Sequence, residues 1–220
     1  MRAFTVIDVR QRTEEWRRAR AGRLTGSRAV DMLSTVKGKP NTEAAGRRNV
    51  RTQYVLERIT GVPQESNFVS ADMRWGTEHE QEALALYEAV TGCLVRRLGF
   101  LQHTDLMAGV SPDAVIGDFD GLVECKAPKS ATHMGYLLSG KVPYDYLCQI
   151  RHGLWLTGAT YCEFISYDPR FPESLRLFMS RVEASTLDLP AYDREVRTFL
   201  KEVEDEQAAV HRLMEKQRVA

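Results

Sequence analysis

Two acidic residues and a lysine lie where the sequence predicts a β-hairpin. Asp113 opens one short apolar run, and Glu124 and Lys126 end the next. Side chains two apart on a strand project to the same face, so Glu124 and Lys126 point together. The turn at 117–121 folds Asp113 back towards them. Two carboxylates this close repel each other unless a cation lies between them, and Mg²⁺ accepts such oxygen ligands.

The lysine adds a second chemical property to this group. Beside a bound cation, the Lys126 ammonium could orient or deprotonate a water, or neutralise a developing negative charge. Together the three residues predict metal-dependent displacement at a phosphodiester. Because the pattern has few fixed positions, a hairpin with a cross-strand ion pair is the structural alternative.

A further carboxylate, Glu80, stands out on the helix that the sequence predicts from 77 to 91. At 100° per residue, Glu80 lies at the edge of an apolar stripe. The stripe is formed by Ala83, Leu86, Tyr87 and Val90. A carboxylate there is costly unless it reaches solvent, is paired, or is bound to a cation.

The remaining pattern predicts helices around a sheet. Helices are expected at 49–60, at 143–156 and from about 190 onwards, with an exposed loop at 35–48. Strands are expected at 98–102, 107–110, 113–116, 121–126, 160–167 and 175–182. This order indicates an α/β (α+β) fold with a central mixed, mostly antiparallel sheet flanked by helices.

Charge is distributed unevenly along a chain of 220 residues whose formal net charge is zero. Residues 1–70 hold 14 Lys and Arg against seven Asp and Glu, whereas residues 71–126 hold four against ten. A basic segment followed by an acidic one fits a polyanion-binding surface beside a cation site. Chance clustering of charge on solvated faces is the alternative.

Composition excludes several classes of protein. With 43% hydrophobic and 27% charged residues, the chain is neither disordered nor fibrous. It contains no apolar stretch long enough for a membrane span and no signal-peptide pattern, so we expect a soluble intracellular protein. The four cysteines lack zinc-site spacing and are expected to be reduced and mostly buried.

Six short motifs, taken in order, resemble those of phage lambda-type alkaline exonucleases, which belong to the PD-(D/E)xK nuclease superfamily. The motif residues are Trp16, Arg20, Gly22, Thr25 and Ser27; Trp75, Gly76 and Glu80; Ser111 to Asp113; Glu124 to Lys126; Gln149 with Trp155; and Tyr167 to Arg170. Each motif alone is unspecific, but their shared order and spacing cover most of the chain. The resemblance implies a restriction-endonuclease-like core.

The resemblance also implies roles for individual residues. Metal ligands would be Asp113, Glu124 and the main-chain carbonyl of Cys125, with Glu80 contributing to the same ion or to a second one. Lys126 would assist the attacking water and Gln149 would position it. The cofactor would be one or two Mg²⁺ ions per site, with Mn²⁺ as a possible substitute.

A second group of residues would bind the DNA end. Arg20, Ser27 and Ser111 would hold the 5′-phosphate, and Met73 would act as a wedge between terminal base pairs. A Gly-Ser turn that opens a helix offers N–H groups to a phosphate, and an arginine adds a bidentate fork. Without the resemblance, Arg20 would be interpreted as one of four solvated arginines near Trp16.

The resemblance further implies assembly and partners. We expect one nuclease domain over 1–220, with a DNA-end-binding part at about 1–70, a catalytic core at about 71–182 and a C-terminal helix at about 188–217. Three subunits would form a ring around duplex DNA, and a single-strand annealing protein would coat the product strand. The gene would be carried by a phage or prophage, and the protein would act in the host cytoplasm.

The leading hypothesis is a Mg²⁺-dependent 5′→3′ exonuclease that digests one strand of linear duplex DNA to mononucleotides and leaves a 3′ tail. An endonuclease or nickase of the same fold is one alternative, and a non-catalytic DNA-end-binding protein is another. A two-carboxylate glycosidase is disfavoured by Lys126 and by the basic N-terminal segment.

Overall fold

The computed structural model describes residues 2–39, 42–64 and 70–219. The helices within these ranges are α1 (Glu14–Arg20), α2 (Ala29–Met32), α3 (Ala45–Thr60), α4 (Ala71–Thr91), α5 (Ser130–Ser139), α6 (Tyr144–Thr157) and α7 (Leu189–Val219). The strands are β1 (Phe4–Ile7), β2 (Leu24–Thr25), β3 (Val95–Arg96), β4 (Phe100–His103), β5 (Ala108–Val110), β6 (Ala114–Ile116), β7 (Gly121–Lys126), β8 (Tyr161–Tyr167) and β9 (Leu177–Glu183). No helix in the described ranges is long and apolar enough to cross a membrane.

The chain forms two compact units. The first comprises Met1–Glu65, Gly99–Ser111 and Asp188–Ala220. Its four-stranded sheet has the order β1-β4-β5-β2, in which the β2–β5 pair is parallel and the others are antiparallel. Helices α3 and α7 pack together, and the ring of Tyr54 meets that of Phe199 edge-on at 6.2 Å.

The second unit comprises Ser66–Leu98 and Pro112–Leu187. Its five-stranded sheet has the order β3-β6-β7-β8-β9. Strands β7 and β8 are parallel, and the other pairs are antiparallel. Helix α4 packs on β7, β8 and β9, while α6 packs on β7 and β8. The sheet therefore has apolar cover around the strand that ends in Glu124 and Lys126.

The predicted fold class is confirmed, since mixed sheets are flanked by helices, but the strands fall into two sheets and not one. Strands β4 and β5 belong to the first unit, whereas β6 and β7 belong to the second. Sequence patterns missed strands β1, β2 and β3 and helix α5. The buried residue of helix α5 is His133, whereas Met134 and Leu138 are exposed, so its apolar residues do not mark its buried face. The expectation of a single domain over 1–220 stays a prediction.

Helix boundaries also differ from the predicted ones. Helix α4 begins at Ala71 and not at 77, because the Ser70 hydroxyl accepts a hydrogen bond from the N–H of Met73 at 3.1 Å and caps the helix. Helix α3 begins at Ala45, inside the segment predicted to be a loop. The buried face of α4 differs too: Leu84 is buried, and Val90, assigned to the apolar stripe, is 60% exposed.

Close packing in the first sheet depends on a glycine in β5. A Cβ atom at Gly109 would lie 2.0 Å from the ring of Phe100, which is fully buried on β4. Any larger residue would therefore force the ring or the strand to move. Ser111 follows two residues later in the chain, so this contact also fixes the backbone that leads to it.

A buried carboxylate holds the first turns of α4 in place in the second unit. Asp168 is fully buried and accepts two hydrogen bonds from the guanidinium of Arg170, from Nε at 2.7 Å and from Nη2 at 2.8 Å. The same guanidinium lies 4.4 Å from the ring centre of Trp75 on α4, and Trp75 contacts His79 one turn later. Burial alone would raise the pKa of Asp168, but hydrogen bonds from Arg170 and Ser130 outweigh it and lower the pKa to about 2.

This depressed pKa predicts a pH-dependent stability. The ionised Asp168 stabilises the fold fully above its ordinary pKa, and that contribution is lost as pH falls towards about 2. Between pH 5 and pH 3, the free energy of unfolding of the wild type should fall by about 1 kcal/mol more than that of Asp168→Asn, allowing for solvent screening at the half-exposed Arg170. Urea denaturation at each pH measures this difference.

Asp205→Asn is the matched control, since Asp205 is 65% exposed and pairs with Lys201 on the exposed face of α7. Such exposed helical pairs contribute little to stability, so this variant should lose the same free energy as the wild type over that pH range. Equal losses for Asp168→Asn and the wild type would contradict the proposed contribution of the buried pair.

Candidate active site

The predicted hairpin forms and brings its acidic residues together. Strands β6 and β7 pair antiparallel with Ala114 opposite Val123, so Asp113 lies beside the end of β7. The Asp113 carboxylate accepts a hydrogen bond from the backbone N–H of Cys125 at 2.7 Å. This bond fixes Asp113 next to Glu124 and Lys126 and confirms the folding-back of the hairpin.

Lys126 bridges the two carboxylates. Its Nζ lies 3.8 Å from Oδ2 of Asp113 and forms a hydrogen-bonded ion pair with Glu124. The Glu124 side chain is 6% exposed and the Asp113 side chain 14% exposed. Charges this poorly hydrated need partners, so Asp113, Glu124 and Lys126 form one interacting cluster.

Burial and charge shift the pKa values of Glu124 and Lys126. Burial raises the pKa of Glu124 to about 7, with Asp113 and Glu80 acting in the same direction and Lys126 opposing them. Burial also disfavours the charged form of Lys126, but Glu124 and Asp113 outweigh it and raise the pKa of the lysine above its usual value. The ammonium therefore stays charged at neutral pH, although its neighbours still repel each other.

Glu80 is paired, as its place at the edge of the stripe requires. Its side chain is 5% exposed and forms an ion pair with the guanidinium of Arg97, which follows β3 and is 51% exposed. Its charge also reaches Glu124, whose pKa it helps to raise. Among the residues that the structure describes, no three His, Cys, Asp or Glu side chains are gathered closely enough to hold one ion. The contribution of Glu80 to a metal site stays a prediction.

Aromatic residues form one wall beside Lys126. Its Nζ lies 5.2 Å from the ring centre of Tyr146 on α6, and that ring stacks on Phe164 of β8 at 5.3 Å. Gln149, half-buried, lies on the same helix three residues after Tyr146. Sequence analysis missed Tyr146, although its position one turn before Gln149 was a usable signal.

Cys125 has the environment expected of a core residue. Its side chain is 6% exposed and packs with Tyr87, Ile165 and Tyr167 on the face of β7 opposite to Glu124. Burial raises the pKa of its thiol well above the usual range. Any metal contact would therefore come from its backbone. All four cysteines are free and three of them are buried, as predicted.

The residues predicted to bind a 5′-phosphate lie together in the first unit. Nη2 of Arg20 is 3.5 Å from the hydroxyl of Ser27, and the guanidinium lies 3.9 Å from the ring centre of Trp16. Trp16 in turn donates from its indole N–H to the hydroxyl of Ser111 at 2.8 Å. Trp16 thus connects all three predicted residues, a role that its presence in the motif did not reveal.

The structure adds two details to this group. Arg20 is buried, 9% exposed, and not one of a set of solvated arginines. The turn at Gly26–Arg28 is a 3₁₀ turn followed by the single-turn helix α2, so a helix dipole adds little there. Recognition of an anion would depend on the guanidinium and the hydroxyl groups.

A tight turn connects Arg20 to Ser27. Gly22 has a φ of 69°, and a Cβ there would lie 2.6 Å from the side chain of Arg58. Its N–H donates to the buried Glu57 at 2.6 Å, and its carbonyl accepts from Nε of Arg58 at 2.8 Å. Helix α3 therefore holds the turn from both sides, which explains the glycine in the motif.

Met73 differs in exposure from two histidines of neighbouring helices, His133 and His152. Met73 lies in the first turn of α4 and is 57% exposed, so its proposed wedge role stays a prediction. His133 on α5 and His152 on α6 are fully buried. The ring of His133 is hydrogen-bonded to Ser166 and to the carbonyl of Leu175, both at 2.8 Å.

Comparison with known proteins yields one family and a consistent set of structures. Residues 15–160 match the model of the YqaJ-like viral recombinase domain. An alkaline exonuclease from Laribacter hongkongensis, LHK-Exo, is 35% identical, superposes with a TM-score of 0.82, and is matched over 93% of this chain and 100% of its own. Its complex with dAMP matches at 36% identity, with the same coverage and TM-score. No curated protein sequence matches the chain.

A third structure supports the fold alone. A phage-related exonuclease from Haemophilus somnus 129PT superposes with a TM-score of 0.63 at 11% identity, over 86% of this chain and 96% of its own. The family match covers more than half of the chain, and the identity to LHK-Exo extends over nearly all of it. The chain therefore belongs to the YqaJ-like viral recombinase family, as its resemblance to the alkaline exonucleases indicates.

Proposed function

We propose that the protein is a Mg²⁺-dependent 5′→3′ exonuclease that digests one strand of linear duplex DNA to mononucleotides and leaves a 3′ single strand for annealing. The observation that carries the proposal is the convergence of Asp113 and Glu124 on Lys126 at the end of β7. Membership of the viral recombinase family supports a nuclease. The nucleotide dAMP bound to LHK-Exo is a mononucleotide, which matches the proposed product.

The donor set fits a magnesium ion. Asp113 and Glu124 offer hard carboxylate oxygens with little access to water, and the raised pKa of Glu124 reflects a need for positive charge. The proposed ligands are these two carboxylates and the carbonyl of Cys125, with Glu80 available for the same ion or a second one. When bound, Mg²⁺ or Mn²⁺ would supply positive charge that favours ionisation of an attacking water and offsets charge on the phosphoryl oxygens.

The neighbouring side chains have separate proposed roles. Because its pKa is raised, Lys126 would act as a positive charge that orients the water and stabilises the transition state. Tyr146 would hold the ammonium in place, and Gln149 would position the water. Asp113 keeps its orientation through the N–H of Cys125, so the metal-binding oxygens are preorganised.

Arg20, Ser27 and Ser111, which Trp16 connects, would determine the strand that is digested, because they would bind the phosphate at its 5′ end. Arg20 can offer a bidentate guanidinium, and the hydroxyl groups of Ser27 and Ser111 can donate to the remaining phosphate oxygens. Stacking on Trp16 fixes the guanidinium before DNA arrives, which lowers the entropic cost of binding. A terminal phosphate fits this set, and the resemblance to the alkaline exonucleases implies that it is the 5′-phosphate.

Family membership also supports proposals about assembly. A homotrimeric ring would enclose the duplex, Met73 would separate the terminal base pairs, and an annealing protein would receive the 3′ strand. The gene would be carried by a phage or prophage, and the protein would act in the cytoplasm of the host cell.

Linear and circular DNA distinguish the candidate activities. With Mg²⁺, the protein should release mononucleotides from linear 5′-phosphorylated duplex DNA and leave covalently closed circles intact, and EDTA should stop the reaction. Early release of a label from the 5′ end of a strand, and not from its 3′ end, reports the direction of digestion. Nicked circles would favour an endonuclease, and retention of linear DNA without nucleotide release would favour a binding protein.

Loss of the ammonium should separate catalysis from binding. Lys126→Ala should lower the rate of nucleotide release by about 10²- to 10³-fold, because one preorganised charge is removed from the transition state. DNA-end affinity measured in Ca²⁺ should change little. Lys201→Ala is the control: Lys201 is 66% exposed and pairs with Asp205 on α7, and its removal should leave the rate unchanged. Full activity of Lys126→Ala would remove this lysine from the mechanism.

The phosphate anchor predicts a dependence on the DNA end. Arg20→Gln should lower kcat/KM on 5′-phosphorylated duplex by about 10- to 100-fold, the equivalent of one charge-assisted hydrogen bond. On 5′-hydroxyl ends the loss should be small. Arg18→Gln, on the same helix and 71% exposed, is the matched control and should behave as the wild type on both ends. Equal losses on the two kinds of end would contradict the anchor role of Arg20.

A further inference from the structure

The pair between Glu80 and Arg97 joins two residues in very different surroundings. The Glu80 side chain lies on the buried face of α4 and is 5% exposed. Arg97 follows β3, the edge strand of the second sheet, and its side chain is 51% exposed. The guanidinium therefore reaches inward from the edge of the sheet to a carboxylate that has almost no contact with water. An arginine with that much exposure can return to solvent at low cost, whereas Glu80 cannot.

The pair belongs to the same electrostatic neighbourhood as the hairpin residues. Glu80 acts on both Glu124 and the thiol of Cys125. The neighbourhood thus contains the three carboxylates Asp113, Glu124 and Glu80, together with two cations, Lys126 and Arg97. These five groups together carry one excess negative charge.

Charge balance changes when a divalent cation arrives. With both Lys126 and Arg97 still in place, the group would carry one excess positive charge. With Arg97 withdrawn, two positive charges on the metal and one on Lys126 would balance three carboxylates. At short range in a poorly hydrated site, the balanced arrangement is favoured.

We infer that Arg97 is an internal counter-ion of Glu80 that competes with the divalent cation, so that it sets the cation affinity of the site and moves towards solvent as the cation binds. This inference rests on the proposed function, because it takes the hairpin carboxylates as the cation site. Arg97 is a positioning residue that neutralises Glu80 until a cation at the hairpin carboxylates supplies positive charge instead. The arginine was missed in sequence analysis, where it is one of two adjacent arginines without a motif.

The neighbouring Arg96 provides a matched control. It carries the same charge, lies one residue earlier on the same strand end, and its guanidinium lies over the ring of Phe119 at 5.6 Å. Substituting either arginine with glutamine changes the net charge equally. A difference between the two variants would therefore report the contact with Glu80 and not the general field.

Calorimetric titration of the full-length protein with Mn²⁺, in the absence of DNA, tests the inference. Arg97→Gln should bind Mn²⁺ about fivefold more tightly than the wild type, the equivalent of an ion pair of about 1 kcal/mol. Arg96→Gln should bind as the wild type does. In a Glu80→Gln background, adding Arg97→Gln should no longer increase the affinity. Unchanged or weaker binding by Arg97→Gln would overturn the inference while the proposed nuclease stands.

A second measurement uses the wild type and needs no variant to fold. Titration with Mg²⁺ should move the Nε–H resonance of Arg97 in an ¹⁵N spectrum from an ion-paired to a solvated position, while that of Arg96 stays in place. A resonance of Arg97 that does not respond at saturating Mg²⁺ would overturn the inference. Absence of any cation binding by the wild type would overturn the proposed function as well.

Discussion

Burial of like charges is the constraint on which the second unit depends. Asp113, Glu124 and Glu80 lie in poorly hydrated surroundings, and each carboxylate needs positive charge nearby. Lys126 and Arg97 supply it in the folded protein, but burial, together with the repulsion that remains, raises the pKa of Glu124. A fold designed for stability alone would place apolar side chains there. We propose that the carboxylates are instead held for a cation, as metal-dependent cleavage of a phosphodiester would require.

The rest of the unit keeps these groups from relaxing away from one another. Strand β7 is paired on both sides, with β6 and with β8, so the backbone of Glu124 cannot shift alone. On its opposite face, Cys125 packs into the core against Tyr87 and Ile165. The stack of Arg170 on Trp75 holds the first turns of α4, and with them the helix that carries Glu80. Rigidity at the site is thus a consequence of packing on both faces of one sheet.

Sequence analysis succeeded where local geometry determines the contact. Alternation along a strand places Glu124 beside Lys126, and a short turn returns Asp113 to them, so these contacts follow from spacing alone. The pairing of Glu80 with Arg97 and the bridging role of Trp16 depend on residues distant in sequence, and no periodic pattern encodes them. Division of the strands into two sheets was missed for the same reason: hydrophobic alternation shows that a strand exists and not which partner it takes.

Anomalous diffraction from crystals soaked in Mn²⁺ tests the central claim most directly, because it locates the ion without reference to activity. We expect an anomalous peak within coordination distance of carboxylate oxygens from both Asp113 and Glu124, and we expect it to vanish in Asp113→Asn crystals. An active protein whose peak lies elsewhere, or contacts neither carboxylate, would contradict the account.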